Sequence, residues 1–176
     1  MILYIHSHEM EDRGVTMERH AGVRDLVHII VPRGTSVAGI VSLVNGQITR
    51  PGSIWTLIFN GHGDSARTGA ILFGNWIESN QVSGFSPLGR LMNRAGRGVE
   101  LHCCRAASNE TMMVNMARAF GVRVTAGVED QVGRAGRHWG SVTLPFGGDS
   151  FGLIEGQTVV AFPNGRVASS APPDLR

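Results

Sequence analysis

Two stretches of this 176-residue chain run as apolar segments and stop on side chains that could do chemistry. The first is Ile54-Trp55-Thr56-Leu57-Ile58-Phe59-Asn60, followed by Gly61-His62-Gly63-Asp64. The second is Val99-Glu100-Leu101-His102-Cys103-Cys104-Arg105. A histidine beyond one run and a cysteine beyond another are the smallest parts list for a thiolate nucleophile with its base. A thiol at its ordinary pKa is mostly protonated at neutral pH and only the thiolate attacks well, so an imidazole within reach changes the chemistry. Backbone N–H groups where a strand hands over to a loop can hold a developing oxyanion. Gly63 lets the backbone come close to a substrate carbonyl and offer its own N–H. These residues assign His62 and Cys104 to catalysis, and the amides of Gly63 and Cys104 to the oxyanion hole.

The elements that must position them follow from periodicity. Short apolar runs rich in β-branched and aromatic residues, bounded by glycine, read as buried strands. Sites in open α/β sheets form just beyond the carboxyl ends of such strands. Strands are expected at Ile2–Ile5, Leu26–Val31, Ile54–Asn60, Val99–Cys103 and Val122–Val128, with a short strand or hairpin at Ala70–Gly74. Thr35 is expected to cap a helix with Val37, Ile40, Val41 and Val44 on one face, ended by Asn45-Gly46. Ser86-Pro87 reads as a helix start, with Leu88, Leu91, Met92 and Ala95 as its apolar face and Gly96 as its stop. Asn109 caps a further helix with Met113, Met116 and Phe120 inward, and one helical turn is expected after Thr16. Strand alternation turns Cys103 into packing with Leu101 and Cys104 out of the sheet's end.

From Gly133 the texture changes. Ser141–Phe146, Phe151–Ile154 and Thr158–Phe162 alternate with turn residues and read as a small antiparallel C-terminal appendage. The expectation is one domain over residues 1–168 and a flexible tail over 169–176, with Pro172-Pro173 in it.

Composition narrows the class. Hydrophobic residues make up 42% and charged residues 17%, which suits a globular domain rather than a disordered chain. The formal charge of +2 is too small to imply a nucleic-acid partner. All sixteen basic residues are arginine, which reads as compositional bias, with avoidance of lysine-directed modification as the functional alternative. The two cysteines are adjacent, a spacing that rarely gives a disulfide, so a reduced compartment is expected. Met1-Ile2-Leu3-Tyr4-Ile5 lacks a basic n-region and is too short for a signal peptide. No apolar run approaches the roughly 18 residues that span a bilayer. A cytoplasmic location and no membrane are therefore expected, with delivery into another cell as an effector left open.

The order apolar strand–His–Gly, then a helix, then apolar strand–x–small–Cys, then another strand, resembles the caspase-like cysteine peptidases. The residues that carry the likeness are Leu57-Ile58-Phe59-Asn60-Gly61-His62-Gly63 and Val99-Glu100-Leu101-His102-Cys103-Cys104-Arg105. It is closest to the bacterial CHAT-like and related branches and covers roughly residues 1–130. It implies a caspase-like α/β three-layer sandwich, with a mostly parallel central sheet and helices on both faces. It implies a cysteine endopeptidase working on a polypeptide substrate through a His62–Cys104 dyad, with no metal and no organic cofactor. The family carries Ala or Gly where Cys103 stands, a departure that bears on which cysteine is the nucleophile. The residue two before the nucleophile often lines the pocket for the side chain preceding the cut, and here it is His102. The loop after the next strand borders that pocket, which adds Glu129 and Asp130. An activating partner is compatible with the resemblance. Activation by inositol phosphate through a lysine-rich pocket, as in one branch, is not expected of a chain without lysine, although arginine could take lysine's place.

Two other readings compete. One is a non-catalytic caspase-like binding module. The other is a metal-dependent hydrolase built from His6, His8, His62, His102 and a cysteine, although their spacing matches no zinc motif. His6 and His8 read as surface or edge residues. Gly148-Asp149-Ser150 is similar to a lipase serine block but stands at the wrong end of the chain. No dinucleotide or phosphate-loop fingerprint is present.

Overall fold

Every residue of β1 (Ile2–Ser7) is buried, as expected of a strand inside a sheet with both faces covered. A computed structural model of the chain describes residues 1–10, 25–64, 70–128 and 157–170. β1 is flanked by β2 (Leu26–Val31) and β3 (Thr56–Asn60), both parallel to it. β7 (Gly98–His102) pairs parallel with β3, and β8 (Val124–Gly127) parallel with β7. Two antiparallel strands, β9 (Thr158–Ala161) and β10 (Val167–Ser170), complete the sheet in the order β10-β9-β8-β7-β3-β1-β2. The architecture is thus mixed α/β with a mostly parallel central sheet. A second, antiparallel sheet is made of β4 (His62–Asp64), β5 (Ala70–Phe73) and β6 (Asn75–Ile77).

Strand parity sorts the two faces. Leu3, Ile5, Leu57, Phe59, Val99 and Leu101 share one apolar cluster with side chains of every longer helical segment. Those segments are α1 (Val37–Gln47), a 3₁₀ helix over Val82–Leu91 and α2 (Glu110–Phe120). Phe59 is central: its ring meets Phe73 at 5.1 Å, Phe85 at 5.5 Å and Phe120 at 6.1 Å, all edge-on. Each such ring pair adds about 0.5–1.5 kcal/mol to the area it buries, and the cluster fixes the strand that leads to His62. The opposite face holds a small apolar group, Ile2, Tyr4 and Ile58, beside buried His6, Asn60, Glu100 and His102. The helices expected over this second face do not fall among the described residues.

Several boundaries differ from expectation. Ser36, not Thr35, is the N-cap of α1 and accepts the Gly39 N–H at 3.2 Å. Thr35 instead donates to the Pro32 carbonyl at 2.7 Å. α1 runs through Gly46 to Gln47. The helix expected from Ser86 begins earlier, at Val82, and is 3₁₀, with Pro87 inside it. Proline lacks the donor an α-helix interior needs and crowds the preceding turn. Met92 is already extended and bridges to Ile54. α2 follows the expected pattern: Asn109 accepts the Met112 N–H at 2.9 Å, and Met113, Met116 and Phe120 are buried. The strand expected over Thr158–Phe162 is β9. Ser169 and Ser170, assigned to the tail, belong to β10. The expected turn after Thr16, the runs Ser141–Phe146 and Phe151–Ile154, and residues 171–176 lie outside the described residues. No described helix is long and apolar enough to cross a membrane.

Candidate active site at the carboxyl ends of β3 and β7

β3 and β7 pair in parallel with a constant 42-residue offset, from Thr56 opposite Gly98 to Asn60 opposite His102. The ladder goes one step further, since the Gly61 N–H donates to the His102 carbonyl at 3.4 Å. His62 and Cys104 each lie two residues beyond the last paired rung, Asn60 opposite His102. The two residues singled out from sequence therefore follow the carboxyl ends of neighbouring parallel strands.

The glycines of Gly61-His62-Gly63 each have a contact that excludes a side chain. A Cβ at Gly61 would lie 2.6 Å from both the Leu72 carbonyl oxygen and the Phe73 ring. A Cβ at Gly63 would land on the Cys104 carbonyl oxygen and sit 2.9 Å from the Cys104 nitrogen. The backbone is thus held against β5 before His62 and against Cys104 after it, and His62 is exposed between these contacts. The amides of Gly63 and Cys104 belong to two backbones in direct contact.

On the other side, the chain turns sharply. The Ala106 N–H closes on the Cys103 carbonyl at 3.3 Å, which makes Cys104 and Arg105 the central residues of a turn. Arg105 holds φ at 50°, a left-handed conformation uncommon outside glycine and asparagine. The two cysteines separate as strand alternation requires. Cys103 is fully buried, with its Sγ 3.7 Å from the Phe59 carbonyl oxygen. Burial pushes its thiol far above the ordinary cysteine range, so it stays protonated. Cys104 is partly exposed. Of the two thiols, the one at the strand end is the more accessible.

Behind this pair lies a buried polar layer that the sequence reading missed. His6, expected at the surface, is fully buried. Its Nδ1 lies 3.1 Å from Asn60 Nδ2, and its Nε2 lies 2.9 Å from His28 Nδ1. Tyr4 stacks on His6 at 4.4 Å and meets His102 edge-on at 6.1 Å. His102, expected to line the substrate pocket, is 1% exposed, with Nε2 3.3 Å from Glu100 Oε2. Glu100 reaches Arg97 at 3.2 Å through its other oxygen. Burial alone would raise the Glu100 carboxyl. The hydrogen bond and charge of His102, then Arg97 and Arg123, outweigh burial and hold it below the usual glutamate range. Burial holds His28 below the usual histidine range. The signal was present in the strand period: Tyr4, His6, Asn60, Glu100 and His102 all share one parity. His8 is exposed. Glu129 and Asp130 lie outside the described residues. Among the described residues no group of three or more His, Cys, Asp or Glu side chains is arranged to hold a metal ion.

No protein-family model, curated protein or solved structure matches this chain.

Proposed function

We propose that this chain is a cysteine endopeptidase of caspase-like type, with His62 and Cys104 as its dyad. The observation that carries the reading is that His62 and Cys104 each stand two residues beyond the paired ends, Asn60 and His102, of adjacent parallel strands, with Gly63 against the Cys104 backbone. Cys104 Sγ attacks the scissile carbonyl carbon while its proton passes to His62. The amides of Gly63 and Cys104 donate to the oxyanion that forms. The C–N bond then breaks as His62 returns the proton to the leaving amine. Water hydrolyses the thioester, releasing the new carboxyl end and restoring the thiol. For the side chain before the cut, His102 is too buried to line a pocket, which leaves Glu129 and Asp130, the acids that follow β8 in sequence, as the groups the resemblance assigns to it.

Turnover of a fluorogenic peptide library tests the reading. Activity should survive EDTA and be abolished by iodoacetamide. Turnover that EDTA removes and zinc restores would replace it with a metal-dependent hydrolase. A library left uncut would replace it with a binding module.

A further inference from the structure

The end of the molecule away from the dyad carries a different chemistry. Loops that precede β3 and β7 interlock there: the Gly52 N–H donates to the Arg90 carbonyl at 3.0 Å and the Arg97 N–H to the Trp55 carbonyl at 2.9 Å. α2 ends at the same level, and the turn between β9 and β10 returns to it, since Ala161 pairs with Val124 at the start of β8. Arginines stand along this whole end. Arg90 donates to the Thr49 carbonyl at 3.2 Å and to Asn45 Oδ1 at 2.7 Å, beside Arg50. Arg94 donates to the Gly121 carbonyl. Arg123 Nε donates to the Arg97 carbonyl at 2.8 Å. Arg118, in the last turn of α2, reaches to within 3.2 Å of where a Cβ on Gly165 would stand, and Arg166 follows, its guanidinium 4.1 Å above the Phe162 ring. All of these arginines stand on the segments that make up this end, and together they are its arginine band.

Arg50, Arg90, Arg94, Arg118, Arg123 and Arg166 are all exposed. None of the six forms an ion pair among the described residues; Arg97 does, with Glu100. Asp25, before β2, is the acidic residue described at this end. Among the described residues, six arginines less Asp25 give +5, while Arg33, Arg97 and Arg105 against Glu9, Asp64, Glu78, Glu100 and Glu110 give −2. Among the described residues the positive charge is therefore concentrated at the end opposite the dyad. Carbonyl contacts orient some of the guanidiniums yet use only one or two of the five N–H donors each carries. What remains is a row of oriented forks suited to carboxylates.

We propose that this arginine band binds an acidic stretch of a partner polypeptide. From β3 to β10 it crosses four strand spacings, roughly 19 Å, about the length of six extended residues. Two features favour a polypeptide over other polyanions. Single-stranded nucleic acid wants exposed rings for stacking, and the rings at this end, Trp55 and Phe162, are only partly exposed, with Arg166 over the latter. A membrane surface wants apolar side chains to insert, and the exposed large hydrophobics described, Ile30 and Val128, stand toward the carboxyl ends of their strands. The proposal is independent of the peptidase reading.

Fluorescence anisotropy with labelled oligoglutamate tests it on the full chain. The triple variant Arg50→Gln, Arg118→Gln, Arg166→Gln leaves the carbonyl-anchored arginines in place. It should bind about tenfold more weakly, the loss expected for three exposed charge contacts, and show a shallower salt dependence. Arg33→Gln, at the other end, should bind like wild type. The proposal is overturned if wild type does not bind oligoglutamate, or if the triple variant binds equally. It is also overturned if Arg33→Gln weakens binding as much as the triple variant, or if a single-stranded oligonucleotide or anionic vesicles bind more tightly than oligoglutamate.

Discussion

Asn60 pairs with His102 on the last rung of the β3–β7 ladder, two residues before His62 on one chain segment and two before Cys104 on the other. Gly63, the next residue after His62, then closes on the backbone of Cys104. From this relationship the roles of the two cysteines separate. Cys104→Ala should abolish peptide cleavage. Cys103→Ala should retain most of it, because the Cys103 thiol is buried, protonated and turned into the core. Steady-state turnover of the two variants checks this, and a dead Cys103→Ala with active Cys104→Ala would reverse the assignment.

His62→Ala should lose on the order of 10²–10⁴ in kcat/KM, the usual cost of removing a positioned acid–base group. It should keep its fold, because His62 is exposed. Circular dichroism and the thermal midpoint should match wild type. A variant that unfolds would mean that the imidazole holds structure instead.

Gly63→Ala forces a methyl onto the Cys104 carbonyl oxygen, so one backbone must move. Turnover should fall on the order of 10²–10³, as when an oxyanion donor is lost. Gly46→Ala is the matched control. A Cβ there meets nothing within 4 Å, and replacing glycine inside a helix stabilises by about 0.5–1 kcal/mol. Equal behaviour of the two variants in turnover would show that the Gly63 contact has no part in catalysis.

Acid should weaken the fold through the layer behind the site. His28 and Glu100 both have pKa values lowered by folding, so the unfolded chain binds protons more readily. The His28 contribution is full above about 6.5, its unfolded value, and is lost as pH falls below that. The Glu100 contribution is full above about 4.3 and is lost below it. Thermal midpoints should therefore drop in two stages on acidification. In Glu100→Gln the stage below about pH 4.3 should be shallower. A midpoint that rises on acidification would contradict the sign of both shifts.

How far the sequence could be read follows from what each residue signals locally. β2 has the expected bounds, because Leu26-Val27-His28-Ile29-Ile30-Val31 is a pure β run stopped by Pro32. The opposite facing of Cys103 and Cys104 follows from period two alone. Pro87 is a good first residue for an α-helix, and nothing local says that the winding is 3₁₀ and starts five residues earlier. β10 was missed because Val167-Ala168-Ser169-Ser170 has little apolar content, and its strand depends on pairing with β9. A histidine at a strand end is usually exposed, and nothing local marks His6 as buried. Its burial depends on partners 22 and 54 residues away, His28 and Asn60.

The central claim is tested most directly by a peptide carrying a thiol-reactive ketone, with the modified residue located by mass spectrometry. The dyad predicts labelling of Cys104 alone, sharply slowed in His62→Ala and absent in Cys104→Ala. Labelling of Cys103, or labelling of Cys104 at the same rate with and without His62, would contradict it.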